Sequence, residues 1–179
     1  MKNNYFHDYS ITKVISEKDY VIILTNGIPK LKIDICADNI FRIWADYTGN
    51  LIKEKSYSVE NEIFEATRFQ SSLEDEYCLI TTNQLTLRVY KHGIRLEYYT
   101  SDNKTLISKE NEIMGMGWND DQSVFMYEDM DESEHFYGLG EDNDAYKGNL
   151  DRRGTTRDMI TGQRINTGHV TADIPVTFF

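Results

Sequence analysis

Up to residue 109, apolar side chains recur almost everywhere at every second position, in short runs separated by turn residues. A period of two places successive side chains on opposite faces of an extended chain, whereas a helix needs apolar residues at i, i+3 and i+4. Residues 20–25 form an apolar run closed by Asn26-Gly27. Leu31, Ile33 and Ile35 then alternate with Lys30, Lys32 and Asp34. After Ala37-Asp38-Asn39 the pattern restarts, with Phe41, Ile43 and Ala45 set against Arg42 and Trp44. That order reads as strand, tight turn, strand.

Residues 77–82, 85–90 and 94–99 repeat the arrangement, broken at Asn83-Gln84 and at His92-Gly93, and a further strand is expected at 105–108 after Ser101-Asp102-Asn103. Short β-branched and aromatic segments with frequent turns are the signature of an antiparallel sandwich. Only residues 60–66 suggest a turn or two of helix, and Pro29 and Pro175 are the only prolines that could interrupt pairing. The expected fold is therefore all-β, an antiparallel β-sandwich with little helix. Beyond it the spacing predicts a turn at 115–121, a strand at 123–127, an acidic bend at 128–134 and a return to sheet at 135–137.

Charge narrows the partners. With 19 Lys and Arg against 30 Asp and Glu, the net charge is −11. Nucleic-acid binding requires clustered cations to displace counterions from phosphates, so no nucleic acid is expected. No basic amphipathic segment or long apolar run points to a membrane either. The first residues lack the apolar core and small-residue cleavage site of a secretion signal. Cys36 and Cys78 have no metal-type spacing and read as buried free thiols, which together predict a cytoplasmic protein.

The segment from 136 onward differs in character: polar, rich in glycine, without an apolar stripe. FYGLGE at 136–141, LDRRG at 150–154, Asp158-Met159, DIP at 173–175 and Phe178-Phe179 follow in one order. That order resembles the N-terminal sandwich of glycoside hydrolase family 31, whose members include α-glucosidases and α-xylosidases. The resemblance implies a galactose-mutarotase-like supersandwich packed on a (β/α)₈ barrel, with one sandwich loop over the barrel's active site. It implies retaining hydrolysis of α-linked sugars by two barrel aspartates, without a metal or organic cofactor. Such a barrel typically occupies about 250 residues. The chain is thus expected to be a single N-terminal domain over 1–179, cut off before the barrel, with a long polar loop at 138–173. No hydrolysis is expected from it alone. The uncovered face predicts self-association, and the full-length partner would be an α-glycoside or oligosaccharide.

Gly138, Gly140 and Gly154 are read as turn residues, and Glu141 with Arg152 and Arg153 as a carboxylate–guanidinium staple at the loop base. Within the loop, Gln163, Arg164, Asn166, Thr167 and His169 are the candidates for sugar contact, because hydroxyls are recognised by such donors and acceptors. Many relatives carry Trp-Asn-x-Asp after the Arg-Arg-Gly turn; this chain has Ile160-Thr161-Gly162-Gln163. The exchange points away from ordinary glucoside specificity, towards a different α-glycoside or a transfer reaction. Asp142-Asn143-Asp144 with Gly148 and Asp151 misses the calcium-loop spacing, and the four histidines, His7, His92, His135 and His169, lack zinc-site pairing. A free-standing sugar-binding or mutarotase-like domain is the alternative, with Glu141 and His135 or His169 as its acid/base candidates.

Overall fold

The computed structural model describes residues 2–51, 67–137 and 151–154. Twelve strands are present among these residues: β1 (Asn3–Tyr5), β2 (Ile11–Ser16), β3 (Tyr20–Thr25), β4 (Lys30–Ala37), β5 (Ile40–Asp46), β6 (Gln70–Leu73), β7 (Tyr77–Thr81), β8 (Leu85–Tyr90), β9 (Leu96–Thr100), β10 (Leu106–Lys109), β11 (Met116–Asn119) and β12 (Val124–Met126). The one helical element among them is a 3₁₀ turn at Phe6–Asp8. The all-β expectation holds.

Pairing is antiparallel throughout, in sheets ordered β2-β3-β4-β5, β10-β9-β8-β7-β6 and β1-β11-β12. The chain divides into two units, Met1–Asp129 and Met130–Phe179. All twelve strands lie in the first. Its core draws Val21, Ile23, Leu31, Ile33 and Ile35 from the four-stranded sheet and Cys78, Ile80, Leu87, Val89 and Leu96 from the five-stranded one. These positions alternate along each strand, as the burial of every second residue in β3 and β7 records. Enclosing each such side chain contributes about 1.5–3 kcal/mol, so the alternation supplies the sandwich's main driving force.

β3 and β8 coincide with the sequence expectation. Two expectations fail. The predicted turn at 115–121 contains β11, because Gly117 serves close approach rather than chain reversal: the Asn4 carbonyl and the Phe125 ring occupy the space a Cβ would need. The predicted strand at 135–137 does not form, because Phe136 spends its N–H and its carbonyl on Asp151 and Arg152. Three strands, β1, β2 and β6, had no reading. β1 and β6 are short, the apolar residues of β2 (Ile11, Val14 and Ile15) do not alternate, and all three lie at a sheet edge. The helical suggestion at 60–66 lies outside the described residues.

Trp118 on β11 anchors an aromatic group. Tyr47 and Tyr9 stack on it at 5.5 and 6.2 Å, and Phe6 meets it edge-on at 5.5 Å.

Candidate functional site

The base of the polar loop is built around a residue the sequence reading left without a role. Asp151 Oδ1 accepts the backbone N–H groups of Phe136 and Arg153, both at 3.0 Å, and Oδ2 accepts from His135 Nδ1 at 2.7 Å. The Arg152 N–H donates to the Phe136 carbonyl at 2.6 Å. The chain at 135–136 is thereby tied to the chain at 151–153, so both ends of the intervening segment are held at one point. Those three bonds, that from His135 foremost, hold the Asp151 carboxyl down at about 2.

Arg153 finishes the base from the other side. Its Nη1 donates to the carbonyls of Glu132 and Glu134, the latter at 3.0 Å. The acidic bend contributes a second small hub, in which Asp131 accepts from the Ser133 N–H and hydroxyl, and Glu134 accepts the Asp131 N–H. Gly154 follows with φ +70°, the left-handed region that glycine enters without strain.

Of the residues singled out in the sequence, Arg152, Arg153 and Gly154 therefore meet at the loop base. Gly138, Gly140, Glu141, Gln163, Arg164, Asn166, Thr167 and His169 lie outside the described residues. Asp151 carried a usable signal: an Asp two residues before an N–H it can accept is an Asx-turn pattern, here at Asp151-Arg152-Arg153.

The first unit carries two polar assemblies on faces turned away from its core. On β4 and β5, Asp34 accepts from Arg42 Nε and Nη2 at 2.9 and 2.6 Å and from Trp44 Nε1 at 2.7 Å, and pairs with Lys32 at 2.6 Å. Burial pushes its carboxyl up, but the hydrogen bonds from Lys32, Arg42 and Trp44 outweigh burial and leave it below the ordinary carboxylate value. On β7, β8 and β9, the Arg88 guanidinium lies 4.9 Å from the Tyr77 ring and 3.9 Å from that of Tyr99, while Arg95 covers Tyr90 at 3.7 Å. Glu97 accepts from the hydroxyls of Tyr90 and Tyr99 at 2.9 and 2.8 Å. Burial and the Glu97 charge together raise the Tyr99 phenol to about 12. Each charged group in these assemblies is held by an opposite charge or an aromatic ring, so both read as bracing rather than ligand-seeking.

Among the described residues, no group of three His, Cys, Asp or Glu could hold a metal ion. No helix among them is long and apolar enough to cross a membrane. Cys36 and Cys78 are both buried and unpaired, with burial raising the Cys78 thiol to about 11.

Comparison with known proteins places this geometry. Residues 30–172 match the glycosyl hydrolase 31 N-terminal galactose mutarotase-like domain. Alpha-glucosidase 2 of Bacillus thermoamyloliquefaciens is 29% identical over 129 residues, which is 72% of this chain and 16% of that enzyme. The dextranase of Flavobacterium johnsoniae, solved with isomaltotriose, superposes with a TM-score of 0.72 at 24% identity over 85% of this chain and 18% of that one. The cycloalternan-forming enzyme of Listeria monocytogenes, solved with a pentasaccharide substrate, superposes at 0.64 with 19% identity over 87% and 15%. At these identities the two superpositions establish the shared fold. This chain spans less than a fifth of the length of each of the three.

Proposed function

Since this chain belongs to the glycosyl hydrolase 31 family through its N-terminal galactose mutarotase-like domain, we propose that it is the accessory sandwich of a retaining α-glycoside-processing enzyme. The sandwich packs on a catalytic (β/α)₈ barrel and lends it a substrate-facing loop. The observation that carries this reading is the extent of the family match, which runs from β4 through the polar segment to residue 172.

The division of labour follows from the chemistry. Retention needs two carboxyl groups about 5–5.5 Å apart across the scissile bond, one as nucleophile and one as acid/base, and the proposal assigns both to the barrel. The sandwich supplies position instead. Asp151 fixes the chain just before the loop departs, and the proposal has Gln163, Arg164, Asn166, Thr167 and His169 offer hydrogen-bonding groups to sugar hydroxyls. The alpha-glucosidase, dextranase and cycloalternan-forming relatives support an α-linked glucan or oligosaccharide as the substrate class. The absence of a Trp-Asn-x-Asp motif after Gly154 favours a linkage other than that of common glucosidases, or glycosyl transfer.

The exposed apolar side chains of Val124 and Met126 on β12 and of Ile113 and Met114 in the turn before β11 are the proposed docking face for the barrel. Left uncovered, it would drive self-association. The two reduced, buried thiols support a cytoplasmic setting.

Substitution in the complete enzyme tests the loop assignment. Gln163→Ala and His169→Ala should each raise KM for an α-linked oligosaccharide severalfold with little change in kcat. Unchanged KM in both variants would refute a substrate-facing loop.

A further inference from the structure

Glu110 is the most enclosed carboxylic acid among the described residues, with 1% of its surface exposed. It stands just after β10, where the edge of the five-stranded sheet meets the chain leaving β12. Three backbone bonds close that seam: Asn111 N–H to the Tyr127 carbonyl at 2.9 Å, Asp129 N–H to the Lys109 carbonyl at 3.0 Å and Tyr127 N–H to the Gly115 carbonyl at 3.0 Å. Glu110 itself is clipped to Leu96 twice. Its N–H donates to the Leu96 carbonyl, and its Oε2 accepts the Leu96 N–H, each at 3.0 Å. Its Oε1 has no hydrogen-bond partner among the described residues.

A carboxylate in this position would keep a full charge out of water with one oxygen unserved. The surroundings do not relieve it. Glu128 is its direct cross-strand neighbour through an antiparallel bridge, and like charges so placed repel. Arg95 is the cation that pulls on it, but Glu97 at 3.6 Å and Glu112 at 4.0 Å already share it. Lys109 is held by Asp129 at 3.1 Å, and Tyr98, partly buried on β9, faces the same carboxyl and offers no charge. Gly115 packs beside it. A Cβ on Gly115 would sit 3.4 Å from Oε2, and that glycine holds φ +48° to keep the turn above it tight.

We propose that Glu110 is a pH-sensitive latch: as the neutral acid it keeps the seam between β10 and the segment following β12 closed, and as the carboxylate it forces that seam open. The seam carries Ile113, Met114 and Met126, so its opening alters the apolar docking face. Burial raises the carboxyl from 4.5 to about 8, with the Leu96 N–H and Arg95 pulling it down and Glu128 adding to the rise. A folded value above the unfolded one means that the folded state holds the proton longer. Stability is therefore complete below 4.5, declines as pH rises from there to about 8, and levels off above. Within that window the unfolding constant increases by roughly tenfold per pH unit from this one group.

The proposal is tested by hydrogen exchange on the 179-residue chain at pH 6 and 9, corrected for intrinsic rates. Protection at the amides of Leu96, Asn111, Tyr127 and Asp129 should fall at least tenfold more than at Ile23 in β3. In Glu110→Gln, which keeps an acceptor for Leu96 but no charge, the difference should disappear. An equal fall in the variant, or no selective fall in the parent, overturns the latch. Should Glu110→Gln not fold, ¹³C titration of the parent's glutamate carboxyls decides instead: a midpoint near 8 for Glu110 supports the proposal, and one near 4.5 overturns it.

Discussion

A carboxylate on the outer face of a sheet has no need to be enclosed, yet Asp34 is only 7% exposed because three donors close over it. Removing it would take from Lys32 and Arg42 the carboxylate they share and leave the Trp44 indole N–H without this acceptor. Asp34→Ala should cost about 3 kcal/mol in chemical denaturation at neutral pH, the range for breaking one side of an enclosed ion pair. The depressed carboxyl sets the sign of the pH effect. Its contribution is present above the ordinary 3.8 and is lost as pH falls through the lower folded value. Acid titration of the parent and of Asp34→Asn should show the difference between them shrink below pH 3.8. Asp151 acts locally. Asp151→Ala should speed amide exchange at Phe136 and Arg153 severalfold and leave the melting of the sandwich unchanged. Equal exchange in parent and variant would remove Asp151 from the loop base.

At the scale of elements, legibility followed burial. β3 and β8 could be read to the residue because their alternate positions are enclosed, and enclosure is what a period of two records. β6 could not, since Gln70-Ser71-Ser72-Leu73 has no enclosed position. β11 was misread because Gly115 and Gly117 look alike in sequence and do opposite jobs. Gly115 turns the chain at φ +48°, whereas Gly117 makes space between β1 and β12. Gly117→Val should cost at least about 2 kcal/mol by overpacking and weaken the near-ultraviolet dichroism of the Trp118 stack. Leu87→Ala, on a fully enclosed position of β8, should cost about 2–5 kcal/mol. At the site, Arg152, Arg153 and Gly154 were legible from their motif, while the carboxylate that organises them was not. Glu141, the acid the sequence pattern pointed to, lies outside the described residues, and Asp151, which serves main-chain N–H groups, leaves only an Asx-turn pattern to read.

For the whole molecule, the account separates folding from chemistry. The sandwich has its own core and its own bracing on both outer faces, so the chain should fold without a partner. It should then be catalytically silent and prone to associate through the exposed apolar face at Ile113 and Val124. Light scattering should show mass rising with concentration, and a monomer throughout would argue against an uncovered docking face. Polarimetry should show no acceleration of glucose mutarotation, which distinguishes an accessory sandwich from a mutarotase. The most direct test compares sugar release from a panel of α-linked oligosaccharides by residues 1–179 alone and by a longer protein in which they are joined to a family (β/α)₈ barrel. The account predicts release by the longer protein and none by the shorter. Turnover by residues 1–179 alone, or inactivity of a longer protein bearing a folded barrel, would contradict it.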